Sequence, residues 1–570
     1  MPSRVIPIAA NEADRQRKRR APKGRQPDAG VLAQLQAWLG ETAPPRELLI
    51  EALHVIQDQL RCLPAPHLVA LAHWMKLSIV EVFEVASFYH HFDVVREDEA
   101  GQLPAAPALT VRVCTSLSCQ MAGGQQLLDR LLTVLGPGVR VRAAPCVGRC
   151  ESAPVAVVHQ RPVAQATPAA VQAAVGSGQV LPDPPAALLL RAYQEGGGYK
   201  LLRDARAGRL DAETLIQTME QAGLRGLGGA GFAAGRKWRI VRAQPAPRLM
   251  AVNIDEGEPG TFKDRWYLER DPHRFLEGML LAAWVVGVSR IVIYLRDEYP
   301  ACRALLQAEL QALQADDSLA GLPVIELRRG AGAYICGEES AMLESIEGKR
   351  GLPRLRPPYV AELGLWGRPT LVHNFETLYW VRAIVERGAA WFAGQGRHGR
   401  QGLRSFSVSG RVRDPGVKLA PAGITLRELV DEFCGGMAPG HTLYAYLPGG
   451  ASGGILPARL ADVPLDFDTL QPHGCFIGSA AVIVLSQADR AVDAARNVMD
   501  FFVHESCGQC TPCRAGTVKA GALMAQPMWD AALLGELGQV MRDASICGLG
   551  QAAPNVVDCV LRYFAHEVAA

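Results

Sequence analysis

Very little net charge is left over in this sequence: 59 lysines and arginines against 57 acidic residues give +2 over 570 residues. That balance excludes steering of a polyanion such as nucleic acid as a bulk property, and 49% hydrophobic residues exclude wholesale disorder. Long hydrophobic runs are missing, and the longest, residues 279–288, is too short to cross a bilayer. Internal repeats and low-complexity tracts are absent beyond a basic stretch in the first 27 residues, which holds Arg15, Arg17, Lys18, Arg19, Arg20, Lys23 and Arg25. No apolar segment follows those charges, where a secretory or twin-arginine signal would need one, so residues 1–27 read as a disordered, solvated basic tail. Nothing points to an oxidising compartment in which disulfides persist. At about 150 residues per domain, the length allows roughly three to five domains.

What the chain does have is cysteine in two spaced groups. Cys507, Cys510 and Cys513 stand at intervals of three, and Cys547 precedes a Gly-Leu-Gly turn. A cubane [4Fe-4S] cluster presents four irons, of which a short turn reaches three and a distant segment the fourth. Structural zinc more often uses two separated Cys-x2-Cys pairs. The second group is Cys114-x4-Cys119 with Cys146-x3-Cys150. Each pair follows an alternating segment (109–113 and 139–142), so both belong in loops at one edge of a small sheet. Two close pairs suit the two irons of a [2Fe-2S] cluster, although zinc also accepts four thiolates. Both groups in one chain are better explained together by single-electron transfer in a reducing, cytoplasmic interior than by two zinc staples. Cys62, Cys302, Cys336, Cys434, Cys475 and Cys559 read as isolated buried residues.

Apolar residues at helical spacing (Leu49, Leu53, Ile56, Leu60) and a capping box at Ser78 and Glu81 predict a helical bundle over 28–100. The two-iron region follows in a domain over 105–180, and the Pro- and Ala-rich stretch 160–190 reads as its end and a linker. Strand candidates at 248–252, 290–295 and 324–327 alternate with helical patterns across 198–403, which argues a mainly parallel α/β sheet. Short β segments around a helix boxed by Thr425 and Glu428 make 404–488 a small α+β module. Helical periodicity returns over 489–570 and carries the four-iron cysteines.

Two glycine-rich loops lie in the α/β region. Residues 224–232 hold Gly226, Gly228 and Gly231 in a G-x-G-x-x-G pattern, but a helix rather than a strand precedes it, so the usual dinucleotide context is missing. Consecutive glycines still expose backbone N–H groups, and Lys237 a turn later can neutralise an anion. A tight structural turn is the alternative. The polar segment 253–260 follows an apolar strand, the place where ligands of open α/β sheets bind. A second loop, 332–339, surrounds Tyr334 with small residues, as close approach to a planar ligand requires.

At these residues the chain resembles the NADH-handling module of respiratory complex I and its soluble relatives. The segments that carry the likeness are 226–238, 253–265, 332–350, 506–516 and 545–550 on the flavin-bearing side, and 49–92 with 114–154 on the side of its [2Fe-2S] companion, here fused. The resemblance implies a multidomain α/β and α+β chain: helical bundle, thioredoxin-like [2Fe-2S] domain, Rossmann-like FMN domain, small ubiquitin-like (β-grasp-like) domain and C-terminal helical [4Fe-4S] domain. It implies FMN held by Gly226, Gly228, Gly229, Lys237, Asn253, Asp255, Gly337, Glu338 and Asn374, with Tyr334 near the ring. NAD would stack through Phe232, with Glu258 and Glu339 near the site of hydride transfer and no further acid or base required. Leu227 stands where the family has Arg, His373 where it has Asn, and Arg356 with Tyr359 replace a Lys and a Phe of the nicotinamide-cofactor pocket.

The resemblance further implies metal ligation by Cys114, Cys119, Cys146 and Cys150, and by Cys507, Cys510, Cys513 and Cys547. The four-iron cluster would connect a partner to FMN, with the two-iron cluster on a side branch. Fusion of the modules disfavours complex I itself, and retention of all four N-terminal ligands disfavours a hydrogenase diaphorase. The expectation is therefore the NAD-reducing β subunit of a formate dehydrogenase, whose large catalytic partner carries a molybdenum or tungsten pterin and further iron–sulfur clusters. A zinc-stapled scaffold without redox work is the alternative from another class, and it would be colourless.

Overall fold

The computed structural model describes residues 24–568, so most of the basic tail lies outside the described residues. Arg25, which the sequence places in that tail, is within them. Its Nη1 bonds Glu97 Oε2 at 3.1 Å and is not simply solvated.

The chain divides into two compact units, one reaching Ala106 and including Glu347–Arg350, the other comprising Pro107–Ile346 and Gly351 onward. The first is helical: Ala29–Leu39, Leu49–Leu60, Ala65–Met75 and Ile79–Phe88. Asp28 caps the first of these helices, and Ser78 with Glu81 forms a reciprocal box on the last, so backbone N–H groups at both starts find acceptors. Leu35, Leu49, Leu53, Ile56, Leu71 and Val82 are its buried apolar face.

The second unit holds three sheets. In the first, Leu109–Cys114 pairs in parallel with Val139–Ala144, and Ala156–Val158 and Arg161–Val163 complete it antiparallel. Because the first two strands run the same way with Cys114 opposite Ala144, both cysteine pairs emerge at one end. The expected linker is partly structured: Arg161–Val163 is a strand and Pro168–Gly176 a helix capped by Thr167.

The second sheet is wholly parallel, in the order Thr370–Asn374, Arg248–Ile254, Val288–Leu295, Val324–Arg329. Its covering helices Pro272–Val286 and Phe375–Arg387 touch at Gly278, where an added Cβ would lie 2.0 Å from the Leu378 carbonyl oxygen. Gly278→Ala is expected to cost about 3 kcal/mol, a drop of roughly 6–12 °C in thermal midpoint, measurable by calorimetry. The run 279–288 that fails to span a bilayer falls largely in the first of these helices, nearly all of it buried. Among the described residues no helix is long and apolar enough to cross a membrane.

A five-stranded mixed sheet spans 403–486. Its boxed helix is a single turn, Leu426–Glu428, running into the wider turn Leu429–Phe433. Helices Ala491–Glu505, Thr511–Met524, Ala531–Ala544, Gly548–Ala552 and Asn555–Tyr563 complete the unit.

Candidate functional site

Register places the first elements of the site. Asn253 lies opposite Asn374 on neighbouring parallel strands, so both amides stand at the carboxyl edge of the sheet. A cleft of about 290 Å³ opens there. Eight of the expected residues line it: Gly228, Gly229, Asn253, Glu258, Tyr334, Gly337, Glu338 and Asn374. Distant segments supply walls that no local pattern announced, among them Ser452, Phe476 and Gly478 from the mixed-sheet region, and Leu549 of the segment 545–550 adds another from the C-terminal helices.

The other expected residues sit elsewhere. The Gly226 N–H donates to the Phe232 carbonyl at 2.8 Å and closes the glycine loop. Phe232 is 41% exposed, with the Arg236 guanidinium 5.6 Å from its ring centroid. The Lys237 Nζ donates to the Val372 carbonyl at 3.0 Å, and burial lowers its pKa against the opposing pull of the nearby Glu339 carboxylate. Arg356 pairs with Glu338 and lies 3.2 Å from Glu339, and Tyr359 is exposed. His373 is turned toward the helix Ala234–Arg242 and accepts the Trp238 indole N–H at 2.7 Å. An indole nitrogen only donates, so His373 Nε2 is the acceptor.

Several side chains in the cleft are fixed by their neighbours. Asn374 Oδ1 caps the helix Phe375–Arg387 through Thr377 N–H, which turns its Nδ2 to Asp264 Oδ2 at 2.7 Å. Glu338 Oε2 takes the backbone N–H of Ser340 and Ala341, both at 2.9 Å, at the start of Glu339–Ile346. Glu258 receives the Tyr334 hydroxyl and both Ser452 N–H and Oγ–H, the latter two at 2.7 and 2.8 Å. Burial nevertheless pushes the Glu258 carboxyl up. Lys263 lies 2.7 Å from Asp264 and 3.1 Å from Glu376, all three buried. One ammonium shared between two carboxylates leaves Asp264 raised by burial.

Asp255 lies outside the cleft, in the small cavity beside Cys146 and Arg296, and its Oδ2 is buried without a partner among the described residues. One observation fits a planar ligand in the cleft itself. Glycine at 228 leaves room that a side chain would fill, since a Cβ there would come 2.8 Å from Asn374 Cβ.

Two thiol groups flank this cleft. Cys114 ends its strand, Cys119 sits on Leu117–Met121, and Cys146 and Cys150 lie 3.3 Å apart, sulfur to sulfur. The Cys114 thiol is within hydrogen-bonding reach of both Cys119 and Cys146, and these neighbours push its pKa up. All four are buried. Four adjacent thiolates in an apolar pocket need a positive core, and their softness suits iron–sulfur. In the other group, Cys510 stands immediately before Thr511–Met524 and Cys513 lies in its first turn, while Cys547 stands immediately before Gly548–Ala552. Gly550 lets the two segments meet: a Cβ there would lie 2.8 Å from Cys513 Cβ. Burial pushes the Cys513 thiol up to about 11 and the Cys547 thiol up to about 12. The buried Ser545 hydroxyl has no partner among the described residues, as fits a site for an inorganic group.

Cys475 and Cys559 are not isolated. Their sulfurs lie 3.5 Å apart in the fold.

Comparison with known proteins accords with this geometry. Residues 219–383 match the Nuo51 FMN-binding domain, 493–570 the NADH-ubiquinone oxidoreductase-F iron-sulfur binding region, and 35–178 the thioredoxin-like [2Fe-2S] ferredoxin family. The second F-type subunit of the NADH-quinone oxidoreductase of Rhizobium meliloti (strain 1021) is 41% identical over 404 residues, covering 68% of this chain and 95% of that protein. The chain belongs to the family of F-type subunits of NADH-quinone oxidoreductase. The F-type subunit of Aquifex aeolicus (strain VF5) is 38% identical, covering 66% of this chain and 89% of that one. A crystal structure of an NAD+-reducing [NiFe]-hydrogenase in the H2-reduced state superposes with a TM-score of 0.78 at 33% identity, covering 92% of each chain. This F-type chain is thus an NAD-linked oxidoreductase subunit built from FMN, [4Fe-4S] and [2Fe-2S] domains.

Proposed function

We propose that this chain is the NAD-reducing partner of a formate dehydrogenase, cytoplasmic, and bound to a large subunit with a molybdenum or tungsten pterin. FMN, when bound, exchanges electrons in pairs with a nicotinamide and singly with a cluster. Gly228, Gly229, Asn253, Gly337 and Asn374 would hold it, with Tyr334 beside its ring. Glu258, fixed by Tyr334 and Ser452, would border the nicotinamide. Cys507, Cys510, Cys513 and Cys547 would hold the four-iron cluster, and Cys114, Cys119, Cys146 and Cys150 the two-iron cluster.

The observation that carries the formate reading is the intact quartet of N-terminal thiols beside a complete FMN and four-iron module in one polypeptide. The likeness to a chain of an NAD+-reducing hydrogenase favours a second reading, the diaphorase of such an enzyme. The complex, pulled down through this chain from its native host, separates the two. Molybdenum or tungsten with formate-dependent NAD+ reduction is the expected result. Nickel with hydrogen-dependent reduction would overturn it in favour of the second reading.

A further inference from the structure

The loop that carries Cys146 and Cys150 is seated on the polar segment 253–265 that also walls the cleft, and two buried arginines make the joint. Arg265 Nε donates to the Gly148 carbonyl at 2.9 Å, but its charge is answered by Glu151 and, at 2.8 Å, by Glu269. Arg296 is placed differently. It follows the strand Val288–Leu295, is 5% exposed, and divides its guanidinium between the two sites. Nη2 donates to the carbonyl of Cys146 at 2.7 Å, and Nη1 to the carbonyl of the cleft residue Glu256 at 2.6 Å. Its one carboxylate hydrogen bond is to Glu298, 3.1 Å from Nε and 24% exposed. Asp255 lines the same small cavity as Arg296 and Cys146.

We infer that Arg296 is a tuning and positioning residue for the two-iron cluster: its fixed charge beside Cys146 stabilises the reduced cluster, and its fork holds the cysteine loop against the wall of the cleft. This rests on assigning the N-terminal cysteines to that cluster. The physical ground is that a reduced cluster is one charge more negative than an oxidised one. A permanent cation in a low-dielectric pocket therefore raises the reduction potential. The Gly148 backbone N–H, 3.4 Å from the Cys146 sulfur, acts in the same sense. The cluster site and the cleft thereby share one charged group, and its removal is felt first at the cluster.

The test is a potentiometric titration of the complete complex followed by electron paramagnetic resonance. In Arg296→Gln the [2Fe-2S] signal is expected to titrate at least tenfold harder to reduce, which for one electron is about 59 mV, while the [4Fe-4S] midpoint stays in place. Arg296→Lys, which keeps the charge, is expected to recover most of the shift. Glu298→Gln, which removes the countercharge at a partly exposed position, should move the midpoint upward. An unchanged [2Fe-2S] midpoint in a cluster-replete Arg296→Gln protein overturns the inference. If that variant assembles no cluster, Glu298→Gln decides, and no upward shift there overturns it equally. Absence of any two-iron signal from the unaltered protein is a separate failure, that of the ligand assignment itself.

Discussion

Cys510→Ala is expected to abolish electron passage between the partner subunit and NAD. Cys510 stands immediately before helix Thr511–Met524, with Pro512 in the helix's first turn and Cys513 one turn on. The helix start thus fixes both sulfurs relative to each other, while Cys547 approaches from a second helix start. Positive helix ends favour the negative cluster that four thiolates create. Removing one ligand leaves three from this set, while Cys475 and Cys559 face each other, 3.5 Å apart. The expected readouts are loss of the four-iron signal, loss of coupled activity, and retention of FMN with NADH-dependent reduction of a small artificial acceptor. Full coupled activity in this variant would mean that the four cysteines do not carry the current.

How much of this was legible in the sequence depends on how local the cause is. The candidate four-iron cysteines were legible as a group because three sit within one turn and the start of one helix, where spacing is itself geometry. Asn253 was readable because an apolar strand ends beside it. The strand Thr370–Asn374 was not marked as one, since its five residues close on His-Asn and show neither alternation nor a long apolar run. Yet it brings Asn374 into register with Asn253. Ser452 and Phe476 escaped because their contribution is purely tertiary. Cys475 and Cys559 are 84 residues apart, a separation at which no pattern links two thiols. Lys237 was readable as a cation near a glycine loop, whereas its hydrogen bond to the Val372 carbonyl is a tertiary contact that no local pattern shows. The helix Pro168–Gly176 hid in its composition, although Thr167 and Pro168 supplied a start signal that the surrounding proline and alanine obscured.

Gly228→Ala is the smallest change expected to empty the flavin cleft. The added Cβ would lie 2.8 Å from Asn374 Cβ, an atom bonded directly to the backbone rather than the free end of a side chain. Asn374 cannot yield without cost: Oδ1 caps the helix behind it, and Nδ2 is bonded to Asp264, itself held by buried Lys263. The glycine loop cannot yield easily either, because a Cβ at neighbouring Gly231 would already lie 2.7 Å from the Phe467 ring. Overpacking of this kind costs about 1–3 kcal/mol. If the strain is relieved only by displacing the loop into the cleft, the same energy appears as about 5- to 150-fold weaker FMN binding. The variant is expected to purify with substoichiometric flavin and to regain NADH-dependent dye reduction when FMN is added in excess, while both cluster signals persist. Stoichiometric, tightly held FMN in Gly228→Ala would show that the isoalloxazine or its phosphate does not pass beside this residue, and the cleft assignment would have to move.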